Sequence, residues 1–260
     1  MTTTFASPSA RVRAAPSLAA VLAILRVDGI RVARDRFLLG TVVYLIGVSV
    51  AMRWIIPFAT NQLLARVGFD LTPYHGLIMS HIVVQLAPLV GGMAGGFLIL
   101  ESKEERVIAA FRVTPVSLES YVAILAAVLV AATVLIAAVE GLIVGIGTPA
   151  LVPLILTGLA GAPAAAIFAL VVGTFATTKT EAFAYLKFIG LAPLLPTASY
   201  FLPEPWQYAM AVYPPYWASK AYWMALEGGF QWTIGIVGGL VMSAVFVIVL
   251  TRVFLRRVAR

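Results

Sequence analysis

Apolar runs of about 20 residues, the length at which an α-helix crosses the hydrocarbon of a bilayer, recur along this chain. They occupy residues 37–57, 77–100, 120–146, 151–176, 182–202 and 232–254. No other feature restricts the fold as tightly. A lipid-facing segment must satisfy every backbone N–H and C=O internally, and for continuous runs of this length a helix does so. Of the 260 residues, 62% are hydrophobic and only 11% charged, so what lies between the runs is too short for a separate soluble domain. The expected fold is all-α and integral to a membrane, with six transmembrane helices. Pro153, Pro163, Pro193 and Pro196 interrupt the fourth and fifth runs.

The distribution of charge gives the orientation. Of the 18 lysines and arginines, only Arg53, Arg66 and Lys220 fall on one side of these spans, and the other fifteen fall on the opposite side. The positive-inside rule then places both termini in the cytosol. The net charge of +7 follows membrane side and does not point to nucleic acid. With no cysteine there is no disulfide framework and no thiolate chemistry. Residues 1–16 read as a disordered cytosolic tail. Over 17–36, Leu18, Val21, Leu22, Leu25 and Val32 oppose Arg26, Asp28, Arg31, Arg34, Asp35 and Arg36, the pattern of an amphipathic helix lying in the headgroup layer, with a solvated basic face before the first span as the alternative.

Between the second and third runs, residues 101–119 hold seven charges: Glu101, Lys103, Glu104, Glu105, Arg106, Arg112 and Glu119. An ionised side chain at mid-bilayer costs roughly 2.5–3.5 kcal/mol, so this stretch is an aqueous loop. Val107, Ile108 and Phe111 share one helical face, and Thr114-Pro115 supplies a stop and restart. The loop therefore offers a short amphipathic helix to something outside the membrane. Residues 196–229 are rich in Trp, Tyr and Pro, with only Glu204, Lys220 and Glu227 charged. The two halves, broken at Tyr213-Pro214-Pro215, are too short to span. Two half-helices re-entering the outer leaflet account for this, and an aromatic belt lying flat on the surface is the alternative.

Other residues stand out within the spans. Gly91/Gly95 and Gly92/Gly96 form small-xxx-small pairs, suited to close helix packing within the subunit or between subunits. Glu140 is a carboxyl inside the third span. It either meets headgroups or Arg53 near the outer interface, or belongs to a translocation path. His75 and His81 lack the one-turn spacing of a ligand pair. Gly173 to Thr180 has Thr178 where a phosphate-binding loop needs Gly before Lys179, and the setting is a membrane helix, so this chain does not hydrolyse ATP by itself.

Six spans, a basic amphipathic helix ahead of them, a charged second-to-third loop and an aromatic hairpin before the last span together resemble the membrane subunit of ABC-2 type transporters. The loop carries the resemblance through Glu101, Lys103, Glu104, Thr114, Pro115, Val116 and Ser117. Tyr213-Pro214-Pro215-Tyr216-Trp217 sits where that family has an N-P-x-x-Y/W motif, here without its Asn. Length and hairpin are similar to fluoroquinolone and other drug export permeases in particular. The resemblance implies a non-catalytic half-transporter in a bacterial plasma membrane, paired with a second permease copy or paralogue. A separate ABC ATPase would bind ATP and magnesium, and this chain would bind no cofactor. Residues 101–112 would be the coupling helix and 17–36 the connecting helix.

Under that resemblance, Glu101, Lys103, Glu104, Glu105, Arg106, Phe111, Arg112, Thr114 and Pro115 are the ATPase-coupling residues. Glu140, Tyr200, Trp206, Tyr213 and Trp217 are candidates for the substrate path. The aromatic and apolar walls suit an amphipathic or hydrophobic compound, since no charged ring of the kind a small ion needs is present. Export as the direction is implied by the resemblance alone. A stand-alone channel or secondary transporter should show inverted repeats or several buried charges. An intramembrane enzyme should show convergent nucleophile and base within the spans, and only Glu140 is there.

Overall fold

A computed structural model describes Arg34, residues 36–105 and residues 117–258. The expected tail (1–16), most of the interfacial helix (17–36) and the centre of the charged loop, including Arg106, Phe111, Arg112, Thr114 and Pro115, lie outside the described residues.

Among the described residues, six helices are long and apolar enough to cross a membrane, as the sequence predicts. The protein is all-α and multi-pass. Helix α1 covers Arg36–Val67, α2 Thr72–Glu104, α3 Leu118–Val144, α4 Leu151–Phe175 and α5 Lys179–Tyr200. A 3-10 segment, Trp206–Val212, and the short helix α6, Pro214–Glu227, precede α7, Trp232–Val258. Several ends differ from the sequence reading. Helix α1 does not stop near Pro57 but runs ten residues further, which shrinks the expected outer loop of 58–76 to a short turn. Proline removes one backbone bond, but ending the helix there would release several more, so the helix continues. It ends at Gly68, whose φ of +68° suits a left-handed cap and whose N–H reaches the Leu64 carbonyl at 3.1 Å.

Helix α2 is not uniform. Its turn over His81–Leu86 is π-helical, and the Ala87 N–H bonds back to Ile82. The widened turn comes just before Pro88, which cannot donate to Val84 and would crowd that carbonyl. Helix α3 starts on Ser117, whose hydroxyl accepts from the Ser120 N–H at 3.1 Å, and ends at Gly145 with φ +67°. The next turn passes against α2: a Cβ on Gly147, itself at φ +62°, would sit 2.6 Å from the His75 carbonyl. Helix α4 is jointed at Pro163, and α5 is broken between Ile189 and Leu194.

Helices α2 and α4 are largely buried, whereas α1 and α7 expose most of their apolar surface, as lipid-facing helices do. The glycines of α2 allow the central contact. A Cβ on Gly92 would lie 2.5 Å from Phe168 Cβ and 2.9 Å from the Ala165 carbonyl oxygen, and one on Gly96 2.8 Å from Val172 Cβ. Gly95 faces Leu129 and Ala169, and Gly91 faces Thr133. Both small-residue pairs therefore serve packing inside the subunit. On one side of this contact Met79, Val83, Val84, Leu154 and Tyr222 form one core; on the other Ile99, Tyr121, Leu125, Ala169 and Phe254 form a second. Gly92→Ala should lower stability by roughly 1–3 kcal/mol through overpacking. Gly47→Ala, with nothing within 4 Å of the new methyl, should leave it unchanged or slightly raised. Thermal unfolding of the two variants in detergent checks this contrast.

Candidate functional site

Two regions gather polar side chains, one at each end of the bundle. At the basic end, five helices are tied together. Lys103, one residue before the end of α2, points into the bundle and not into water. Its Nζ donates to the Gly173 carbonyl on the last turns of α4 and lies 5.8 Å from the Phe254 ring centroid of α7. A cation at the C-terminal end of a helix meets the carbonyls that lack intrahelical donors and the negative end of the helix dipole. Arg257 stacks over Phe175 at 4.6 Å, joining α7 to the same end of α4. Glu101 reaches Lys179 of α5 at 3.2 Å, a surface pair worth about 1 kcal/mol at most. Buried Ser102 shares a 3.2 Å hydrogen bond with Tyr121 of α3.

These contacts alter the sequence picture of the charged stretch. Glu101, Lys103 and Glu104 were expected in a loop but lie on α2, which extends four residues past the expected end at 100. Charge density marked them as outside lipid. It did not mark them as non-helical, because a membrane helix can continue into water. Glu101 and Lys103 hold neighbouring helices, and Glu104 and Glu105 are exposed. The α4–α5 turn is closed by Glu181, which accepts from the Thr177 N–H and hydroxyl at 2.8 Å, while its own N–H donates to Thr178.

At the opposite, aromatic end, Gln85 is a hub. It is buried on the π-helical turn of α2, and its Nε2 donates to Pro215 O at 3.1 Å and Ser219 Oγ at 2.7 Å. The Tyr213 hydroxyl donates to Gln85 Oε1 at 3.4 Å. Trp223 Nε1 donates to Ser80 Oγ at 2.7 Å, one turn along the same helix. Thus α2 holds α6 through side chains on and beside the π turn. The 3-10 segment is tied down by Lys220 of α6, 9% exposed, which donates to Glu204 Oε1 (2.7 Å), Gln207 Oε1 (3.0 Å) and Tyr208 OH (3.0 Å) and lies 4.1 Å from the Tyr208 ring. The hydrogen bond from Lys220, then the charge of that cation, holds the Glu204 carboxyl below its usual range. Burial pushes Lys220 down, but its bonds to Glu204 and Tyr208 outweigh this and leave it raised.

The four aromatic candidates have different contacts. Tyr200 packs edge-on against Trp223 at 4.9 Å, and its hydroxyl reaches Pro73 O. Tyr213 belongs to the Gln85 hub. Trp217 donates to Ala211 O at 2.9 Å and packs on α7, where a Cβ on Gly238 would meet its ring at 2.9 Å. Trp206 is 70% exposed. Glu140 is completely buried, and neither carboxyl oxygen has a hydrogen-bond partner among the described residues. Arg53, one of the partners the sequence offered it, caps the end of α3, donating to Ile143 O at 2.7 Å and Val144 O at 3.4 Å. Gln85 and Lys220 were not singled out from sequence. The usable signal for Gln85 was a lone amide within the second span, three residues before a proline.

A buried helix pair inside lipid-facing helices, with polar ties at both ends, is the construction of a multi-pass helical membrane protein. A family profile described as "Fluoroquinolones export permease protein Rv2686c-like" matches residues 28–251. Two relatives from Mycobacterium tuberculosis, the fluoroquinolones export permease proteins MT2760 (strain CDC 1551 / Oshkosh) and Rv2686c (strain ATCC 25618 / H37Rv), are each 34% identical over 200 residues. The match covers 76% of this chain and 79% of each relative. The chain belongs to this export permease family. No solved structure matches it.

The Lys220–Glu204 tie gives a pH prediction. Because the Glu204 carboxyl is held low, the tie is complete above the ordinary carboxylate range and is lost as pH falls through the lowered value. A spin label at Val212→Cys should become more mobile over that acidic window, and adding Lys220→Met should make it mobile at neutral pH as well.

Proposed function

We propose that this chain is the permease subunit of an ATP-driven ABC exporter that moves an amphipathic or hydrophobic, drug-like compound out of a bacterial cell. Family membership supports export of a drug. The fluoroquinolones in the relatives' names are the first compounds to try. ATP and its magnesium ion are held by a separate ABC ATPase, and the membrane pathway forms with a second permease copy or a paralogue. Both termini face the cytosol of a bacterial plasma membrane. The basic end of the bundle is then the cytosolic end, and 196–229 forms the outer hairpin.

The observation that carries the mechanical part of this reading is the fixing of α2 at its basic end. Lys103, Ser102 and Glu101 tie it to α4, α3 and α5, while the next residues, Glu104 and Glu105, face solvent. A push delivered to residues 101–112 by an ATPase would not be lost in a slack connector. It would pass into the buried helix pair. The same helix carries Gln85, which holds α6 and Tyr213, so one element joins the proposed docking loop to the proposed outer closure. Transport in this account is a change in relative stability between two packings, driven by contacts that differ between the nucleotide states of the partner. Residues 17–36, Arg106, Phe111, Arg112, Thr114 and Pro115 complete the proposed ATPase contact. Glu140, Tyr200, Trp206, Tyr213 and Trp217 border the proposed path.

Two tests follow from this arrangement. Replacing Glu104 and Glu105 with Lys should abolish compound-stimulated ATPase activity of the assembled complex without reducing expression, and undiminished stimulation removes the coupling role. Single cysteines at Glu105 and Gly229 should react with an impermeant maleimide from opposite faces of the membrane; reaction from one face overturns the orientation.

A further inference from the structure

Glu140, which borders the proposed path, has an unusual setting. This carboxyl is completely buried, in a helix otherwise built from Gly, Ala, Val, Leu and Ile at that level, and both oxygens lack a partner among the described residues. It also lies one turn from the end of α3, where the helix dipole is negative and disfavours an anion. An ionised, unpaired carboxylate is not sustained in such a place, since a buried group without a counter-charge gives up its charge instead. Among the described residues no side chain of the surrounding helices pairs with it. Helix α4 has no titratable side chain. Helix α1 brings Arg53 to this level, but its guanidinium caps Ile143 and Val144. Helix α2 brings His75 and His81, which are bonded to Thr60 and Thr197. The charges of α7 are Arg252, Arg256 and Arg257 of its basic end, at the far side of the bundle.

We propose that Glu140 is a cation-exchange site: it holds a proton in this packing and trades it for the ammonium group of a cationic amphiphile when α3 separates from its neighbours. In that step the O–H bond of Glu140 breaks, its electron pair stays on the carboxylate, and the proton passes to entering water. The ammonium N–H then donates to the carboxylate. One positive charge leaves and one arrives, so the site is never an unpaired anion in an apolar wall. Helix α3 is suited to the movement, because Leu135 and Leu142 face outward and its contact with α2 depends on the small surfaces of Gly91 and Gly95. The inference rests on the export reading and narrows its substrate class to compounds with a protonated amine.

The test uses the full chain in lipid nanodiscs and a matched pair of probes, an arylpiperazine with a protonated ring nitrogen and its uncharged N-acetyl derivative. Infrared difference spectra of the wild-type protein at neutral pH should contain the C=O stretch of a protonated carboxyl. The charged probe should remove that band and the acetylated probe should not, a readout that needs no variant. Glu140→Gln should lack the band, keep the wild-type thermal unfolding, and bind the charged probe at least about tenfold more weakly while binding the acetylated probe unchanged, as expected for loss of a desolvated charge pair. Absence of the band from the wild type, or equal weakening of both probes, overturns the proposal. Failure of the export reading shows differently: no compound is moved with ATP, yet the band and the charge-selective binding remain.

Discussion

Everything in this bundle is spaced by the contact between α2 and α4. In lipid there is no hydrophobic gain from bringing two apolar helices together, so association relies on close backbone approach and dispersion. Gly92 and Gly96 allow that approach, with Phe168, Val172 and the Ala165 carbonyl where side chains would otherwise stand. Once the pair is set, α3, α6 and α7 can lean on it, and α1 is left on the outside with most of its surface exposed.

The polar ties are few and sit where water or helix ends make them affordable. Lys103 is spent on the end of α4, and Lys220 on the segment that precedes its own helix. Gln85 is the exception, a buried amide inside a span. Its bonds to Pro215, Ser219 and Tyr213 explain its tolerance there, and the π turn sets its position. In the proposed machine these ties are the points at which movement of α2 becomes movement of its neighbours.

The spans were legible in the sequence because length and apolarity decide whether a helix crosses lipid, and no tertiary contact can override that. Their ends were less legible. Pro57 resembles a stop and is not one, because an apolar setting penalises a broken helix more than a missing bond. The charges at Glu101–Glu104 resemble a loop and lie on a helix, because charge reports water and not backbone shape. Of the partners offered to Glu140, headgroups or Arg53, the second is engaged by the unsatisfied carbonyls that end α3. The candidate path residues were readable as aromatic types but not as a set, since their grouping depends on how α5, α6 and the 3-10 segment fold back.

In the proposed exporter this chain moves its cargo only as part of a nucleotide-driven complex. The direct measurement is uptake of a fluorescent amphipathic drug into inverted vesicles containing the chain alone, or the chain with its ABC ATPase. The account predicts uptake only when partner and ATP are both present, with loss on inactivating the phosphate-binding loop of the ATPase. Sustained uptake by the chain alone, driven by an ion gradient without nucleotide, would contradict it.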